Sequence, residues 1–192
     1  MPLFIETIKV EGGILFNIDL HQKRFDETRK YFFSGFKPVS LSESLLNIKF
    51  EESSIYKLRV TYGQKIEKIE YEVYIRRDIQ KIRVVEMDDL DYSYKFLDRS
   101  CFDKIDLDYY EEAIIVKNGF VTDSRFSNLV FFDGLKWVTP DTFLLNGTKR
   151  QYLLNNEIIK AVPIKIQDLS KYSKVSFVNS MLDIGDIVVS LR

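Results

Sequence analysis

The chain has 192 residues, enough for one large domain or two small ones with a sizeable core. It is 45% hydrophobic and 30% charged, with a net charge of −1 from 28 basic and 29 acidic residues mixed along its length. That balance excludes the basic footprint of a nucleic-acid or anionic-membrane binder and fits an ordinary globular protein. The single cysteine, Cys101, excludes an intrachain disulfide framework and fits a reducing compartment. The start Met1-Pro2-Leu3-Phe4-Ile5-Glu6 lacks the basic and long apolar regions of a signal peptide, and no uncharged stretch approaches the ~18 residues of a membrane span. A cytoplasmic location is expected. The 15 Phe and 11 Tyr read as core and subunit interface, because the basic interleaving that ring stacking on RNA requires is missing.

In chain order, Phe4 to Val10 predicts a strand, with Glu11-Gly12-Gly13 turning into a short partner over Ile14 to Phe16. A helix is expected from Asp19 through Phe33, with Leu20, Phe25, Thr28 and Phe32 as its inner face. Ser40 to Asn47 predicts a second short helix, capped by Ser40 with Glu43 three residues on. Tyr56 to Tyr62 and Ile66 to Ile75 form a hairpin around Gly63-Gln64, its second strand alternating Ile69, Tyr71, Val73 and Ile75 with polar positions. After a polar link at Arg76-Arg77-Asp78 the chain turns mostly to strand. Lys81 to Glu86 is one; Ala113 to Val116 and Phe120 to Thr122 flank Asn118-Gly119; Asn128 to Phe132 and Lys136 to Val138 flank Asp133-Gly134. Thr148 to Asn155 predicts a helix, and Val175 to Val178 and Ile184 to Val189 close the pattern. The fold class is α+β, with an N-terminal α+β subdomain over residues 1–80, a C-terminal mostly-β subdomain over 81–192, and a junction near residues 76–90.

Conventional catalytic sets have little to build from. His21 is the only histidine, which leaves a Ser-His-Asp triad or a His-rich metal site without its parts, and no metal site is expected. No Gly-rich phosphate loop precedes a helix, and the carboxylates form no recognisable pair. Chemistry here would come from a cofactor. One ordered run stands out. Tyr94-Lys95-Phe96-Leu97-Asp98-Arg99 is followed by Gly119-Phe120-Val121-Thr122-Asp123, then Ser127-Asn128-Leu129, Thr139-Pro140 and Asn146-Gly147-Thr148-Lys149-Arg150. Upstream stand Phe4-Ile5-Glu6-Thr7 and His21-Gln22-Lys23-Arg24; downstream comes Val178-Asn179-Ser180-Met181-Leu182.

In order and spacing this run resembles the pyridoxal-phosphate core of the class IV aminotransferase-like enzymes, the family of branched-chain and D-amino-acid aminotransferases and 4-amino-4-deoxychorismate lyases. The resemblance covers most of the chain, which starts at the Phe4 strand without the family's usual N-terminal segment. It implies the class IV fold, two α/β subdomains with pyridoxal 5′-phosphate at their junction, and a homodimer. By the same resemblance Lys95 is the cofactor-bearing and catalytic lysine, in a context like that of the lyase branch. Taken alone it would be a surface lysine beside tyrosines. Arg24 corresponds to the phosphate arginine, whose guanidinium fork suits a dianion, although the tetrapeptide by itself is a weak signal. Asp123 stands where the family places the carboxylate of the pyridine nitrogen, normally a glutamate. Being one methylene shorter, it must sit closer or act through a water. As a plain residue it would be a turn cap after a strand.

Gly147 and Thr148 correspond to a helix start that takes the phosphate on backbone N–H groups, although Gly-Thr is also simply a good helix cap. Here Lys149 stands at the family's threonine. The resemblance places Ser180 at the phosphate and Asn179 and Met181 on the substrate side. Arg59, in Leu58-Arg59-Val60-Thr61-Tyr62, resembles the arginine near the substrate carboxylate; an arginine on the solvated face of a hairpin is the equal alternative.

Three readings of the reaction follow. The first is 4-amino-4-deoxychorismate lyase, releasing pyruvate and 4-aminobenzoate for folate synthesis, favoured by the Lys95–Arg99 context and the Asn179-Ser180-Met181 run. The second is an aminotransferase of branched-chain or D-amino acids, sharing every cofactor residue. The third is a non-catalytic family member. The expected partner is a small amino substrate, with neither nucleic acid nor membrane.

Overall fold

Alternation along the first strand decides which residues of the N-terminal region are buried. The computed structural model describes residues 1–191. In β1 (Phe4–Glu11), Phe4, Ile8 and Val10 point to one face, and so does Glu6. β1 pairs antiparallel with β2 (Ile14–Leu15) on one side and β3 (Ile55–Tyr62) on the other, and β3 pairs with β4 (Ile66–Val73), giving the order β2-β1-β3-β4. Leu58, Val60 and Tyr62 of β3 share the apolar face. Two helices cover it: α1 (Ile18–Phe32) and α2 (Leu41–Leu45), which contribute Phe25, Leu41 and Leu45 to the core.

The α1 stripe runs through His21, Phe25, Thr28 and Arg29, not through Leu20, which stays half-buried. The polar residues His21 and Arg29 are inside because each has a partner there. Arg29 donates to the Gln64 and Lys37 carbonyls, at 2.7 and 3.0 Å, and lies over the Phe25 ring. Ser40 caps α2 as expected, its hydroxyl accepting from the Glu43 N–H at 3.2 Å.

The chain divides into two compact units: Met1–Arg76 together with Tyr94–Asp98, and Arg77–Ser93 together with the chain from Arg99 onward. Lys95, expected in the C-terminal subdomain, lies in the first unit. The physical reason is strand augmentation, since the Ile5 N–H donates to the Lys95 carbonyl at 2.9 Å and the Leu97 N–H to the Leu3 carbonyl at 2.8 Å. Phe96 thereby sits opposite Phe4, with ring centroids 4.9 Å apart.

The second unit has two sheets. In one, β5 (Ile82–Glu86) runs parallel to β6 (Glu112–Lys117), and β6 pairs antiparallel with β7 (Phe120–Val121) through Asn118 and Gly119. Both turn residues have positive φ, 51° and 77°, as a type I′ turn requires. The other sheet has the order β10-β9-β8-β11-β12, built from β8 (Asn128–Phe132), β9 (Trp137–Pro140), β10 (Lys160–Val162), β11 (Lys174–Val178) and β12 (Val188–Ser190). α3 (Thr148–Asn155) falls where its pattern placed it. The last strand does not begin at Ile184: residues 184–187 form a turn, with Gly185 at φ 98° and the Asp186 N–H donating to the Asp183 carbonyl at 3.2 Å. β10 was not visible in the sequence, because three residues set by a parallel partner carry no alternation of their own.

The helix assignment has a direct test. Phe25→Ala should destabilise the protein by about 3–5 kcal/mol, whereas Leu20→Ala should cost about 1 kcal/mol or less, both measured by urea unfolding.

Candidate active site

In the first unit His21 and Arg24 gather around one buried carboxylate. Glu6 has no exposed surface, and its Oε2 meets His21 Nδ1 and Arg24 Nη2 at 2.5 Å each, while Oε1 accepts from Arg24 Nε at 2.9 Å. His21 and Arg24 reach it together because three residues is close to one helical turn. Burial works to raise the Glu6 pKa, but the Arg24 guanidinium and the His21 ring outweigh it and hold the group at about 2. Burial lowers the His21 pKa against the pull of Glu6, and the charges of Arg24 and Lys95 push the same way. His21 is therefore neutral at pH 7, with its Nδ1–H donating to the ionised Glu6.

Lys95 sits at the apex of a three-residue turn closed by the Phe96 N–H on the Tyr94 carbonyl at 2.9 Å. The rings on either side pack on Phe32, with centroids at 4.8 Å for Tyr94 and 5.8 Å for Phe96. These contacts fix the backbone of Lys95, whose side chain is half-buried and close enough for its charge to act on His21. Arg59 lies on β3 between Thr7 and Glu70, on the face opposite Leu58 and Val60. Its Nε is buried and has no hydrogen-bond partner among the described residues.

In the second unit Asp123 follows β7 and is buried. Its Oδ2 accepts from the Leu144 and Leu145 N–H groups at 2.9 Å each, and its Oδ1 accepts from Asn128 Nδ2 at 2.7 Å. The same Asn128 nitrogen donates to the Leu145 carbonyl at 2.9 Å. Gly147 is required at its position because a Cβ there would run into the Asn128 side-chain oxygen. Arg150, in the first turn of α3, donates to the Pro140 carbonyl at 2.8 Å and so ties the start of the 140–147 segment to the helix. Burial raises the Asp123 pKa to about 6, and the three N–H donors and the Arg150 charge restrain the rise. At pH 7 Asp123 is mostly ionised, with acceptor capacity beyond the three donors it has.

Thr148 opens α3 and is buried, and Gly147 before it provides no side-chain cap for the first N–H groups. Lys149 is buried against Asp183 at 2.5 Å, which gives the lysine at this position a structural partner. Asn179 uses both ends of its amide: Nδ2 donates to the distant Ser127 Oγ at 2.9 Å, and Oδ1 accepts from the Met181 N–H of its own turn at 2.8 Å. Ser180 stands at the tip of this turn, half-buried, and Met181 is buried. Arg24 and Lys95 thus come together in the first unit, and Asp123, Gly147 and Thr148 in the second. Sequence reasoning missed Glu6 as a site residue, although an acid on the face of Phe4 and Ile8 was the available signal. It also missed Asn128 and Arg150 as supports.

Lys95 and Arg24 in the first unit and Asp123 in the second are an amine, a guanidinium and a buried carboxylate, the group types that a phosphorylated, protonable cofactor requires. Residues 103–188 match the family Amino-transferase class IV. An uncharacterised Haemophilus influenzae protein is 34% identical over 184 residues, covering 94% of this chain and 97% of that protein. Among solved structures, a candidate 4-amino-4-deoxychorismate lyase of Haemophilus somnus 129pt is 28% identical, with a TM-score of 0.87 over 94% of this chain and 97% of that one. An aminotransferase of Brucella abortus with bound pyridoxal phosphate shares the fold at 15% identity, with a TM-score of 0.68 over 98% of this chain and 79% of that one. The chain belongs to the class IV aminotransferase family and is a pyridoxal-phosphate-dependent enzyme. The donor set fits that cofactor, since a primary amine, a guanidinium and an ionisable buried carboxylate are all present.

The raised Asp123 pKa sets a pH dependence. The ordinary value of 3.8 in the unfolded chain becomes about 6 in the fold, so folding takes up a proton between these values. The stability that Asp123 contributes is fully present below pH ~4 and is lost as pH rises through about 6. Carboxyl titration of the cofactor-free protein by carbon-13 NMR, with Asp123→Asn to assign the signal, should give a midpoint near 6. A midpoint below 4 would contradict the burial argument.

Proposed function

We propose that the protein is a 4-amino-4-deoxychorismate lyase that releases pyruvate and 4-aminobenzoate for folate synthesis. The observation that carries this choice is the near full-length likeness to the Haemophilus somnus structure of that name, at 28% identity and a TM-score of 0.87. The Lys95–Arg99 context, which resembles the lyase branch, supports it.

Bound pyridoxal phosphate supplies an electron sink for the electrons freed when a bond at the substrate's α-carbon breaks. The protein's residues do the rest. Lys95 would hold the cofactor, and its amine would move the proton at the substrate's α-carbon. Arg24 binds the phosphate through charge-assisted hydrogen bonds, and the Gly147-Thr148 helix start and Ser180 add donors. Asp123, ionised at pH 7, keeps the proton on the pyridine nitrogen. Arg59 takes the substrate carboxylate, and its buried Nε supports this because an unpaired donor there gains the most from an acceptor. Asn179 and Met181 shape the substrate side as backing for the surface, since both are packed into the turn that carries them. We place the working enzyme in the cytoplasm as a homodimer; no described helix is long and apolar enough to cross a membrane.

Two measurements check the proposal. Borohydride treatment of the loaded protein should fix the cofactor on Lys95, seen by peptide mass mapping, and Lys95→Ala should abolish both the adduct and turnover. An adduct that survives Lys95→Ala would remove Lys95 from its role. With aminodeoxychorismate as substrate and no keto acid present, pyruvate and 4-aminobenzoate should appear together. Turnover that strictly needs a keto-acid acceptor would instead make the protein an aminotransferase, which shares the same cofactor residues.

A further inference from the structure

The Glu6 cluster holds a carboxylate that the reaction itself does not use. Arg24 has a long, flexible side chain, so a guanidinium left to itself would bind a phosphate only after being ordered. Here the ordering is already done. Both Glu6 oxygens take the Nε and Nη2 donors in a planar fork, at 2.9 and 2.5 Å, which sets the plane of the guanidinium as well as its position. His21 Nδ1, at 2.5 Å from Oε2, stops the Glu6 carboxylate from rotating. The anchor is rigid, since Glu6 and His21 are fully buried and Arg24 retains only 12% exposure.

We propose that Glu6 is a positioning residue for cofactor binding: it holds Arg24 in the orientation that receives the phosphate, with His21 locking Glu6 in turn. This rests on the reading of Arg24 as the phosphate ligand. A competing account, in which Glu6 merely neutralises a buried cation, predicts the opposite sign. Removing the negative charge would then leave the cluster more positive and strengthen its hold on a dianion. Under the positioning account, removing it loosens Arg24 and weakens that hold.

The test compares the affinities of pyridoxamine 5′-phosphate and pyridoxamine, measured by fluorescence titration. Neither carries the aldehyde, so the ratio of the two reports the phosphate contribution without involving Lys95. Arg24→Ala should collapse the ratio; if it does not, the phosphate reading itself fails. Given that collapse, Glu6→Gln should lower the ratio by roughly tenfold or more, the scale of one charge-assisted hydrogen bond, and leave pyridoxamine binding unchanged. A ratio that stays constant or rises in Glu6→Gln would overturn the positioning role while leaving Arg24 as the ligand. Should Glu6→Gln fail to fold, Glu6→Asp retains the charge but withdraws it by one methylene, and it too should lower the ratio. Loss of the fold in both variants would also overturn the proposal, because Glu6 would then be a structural group.

Discussion

Burying a carboxylate removes the water that stabilises its charge, and the charge survives only where the protein replaces that water. The protein solves this twice, by different means. Glu6 is surrounded by groups that carry or can carry positive charge, and its pKa is held at about 2. Asp123 is met by neutral N–H donors, with the Arg150 charge acting less strongly, and its pKa rises to about 6. The contrast follows from electrostatics: an opposite charge nearby favours the ionised form strongly, whereas dipoles offset desolvation only in part. Each solution dictates its surroundings. Glu6 fixes His21 and Arg24 on the first turns of α1, and Asp123 pins Leu144 and Leu145 next to the start of α3.

The two carboxylates thereby give the units different tasks. The first presents Arg24, held by two hydrogen bonds to Glu6, and Lys95, beside a histidine whose pKa burial lowers. The second presents an acid poised near neutrality and a helix start kept open by Gly147, where any side chain would displace Asn128. Lys149, at the family's threonine, is drawn into an ion pair with Asp183. Pyridoxal-phosphate enzymes need an amine, a phosphate clamp and a control on the pyridine nitrogen. Family membership implies all three, and Lys95, Arg24 and Asp123 are the residues proposed for them.

Features set by local rules were legible in the sequence. The Asn118-Gly119 turn, the Ser40 cap and the Thr148–Asn155 helix depend on neighbours a few residues away, and the structure has each of them. Features set by distant partners were not. Alternation puts Glu6 on the inner face but says nothing of the helix residues that neutralise it 15 and 18 positions later. The N–H groups that hold Asp123 lie 21 and 22 residues on. Lys95 joins the first unit through two hydrogen bonds to the edge of β1, a pairing that no local pattern encodes. The inner face of α1 was legible at Phe25, Thr28 and Phe32 but not at His21 and Arg29, whose burial depends on the distant partners Glu6 and the Gln64 carbonyl.

The central claim is that the cofactor is held by the Lys95 amine and by an Arg24 that Glu6 already fixes in place. The crystal structure of the protein loaded with pyridoxal phosphate tests it most directly. The account predicts the cofactor bonded to Lys95 and its phosphate on Arg24, with both Arg24–Glu6 hydrogen bonds retained. A phosphate bound away from Arg24, or one that draws Arg24 off Glu6, would contradict it.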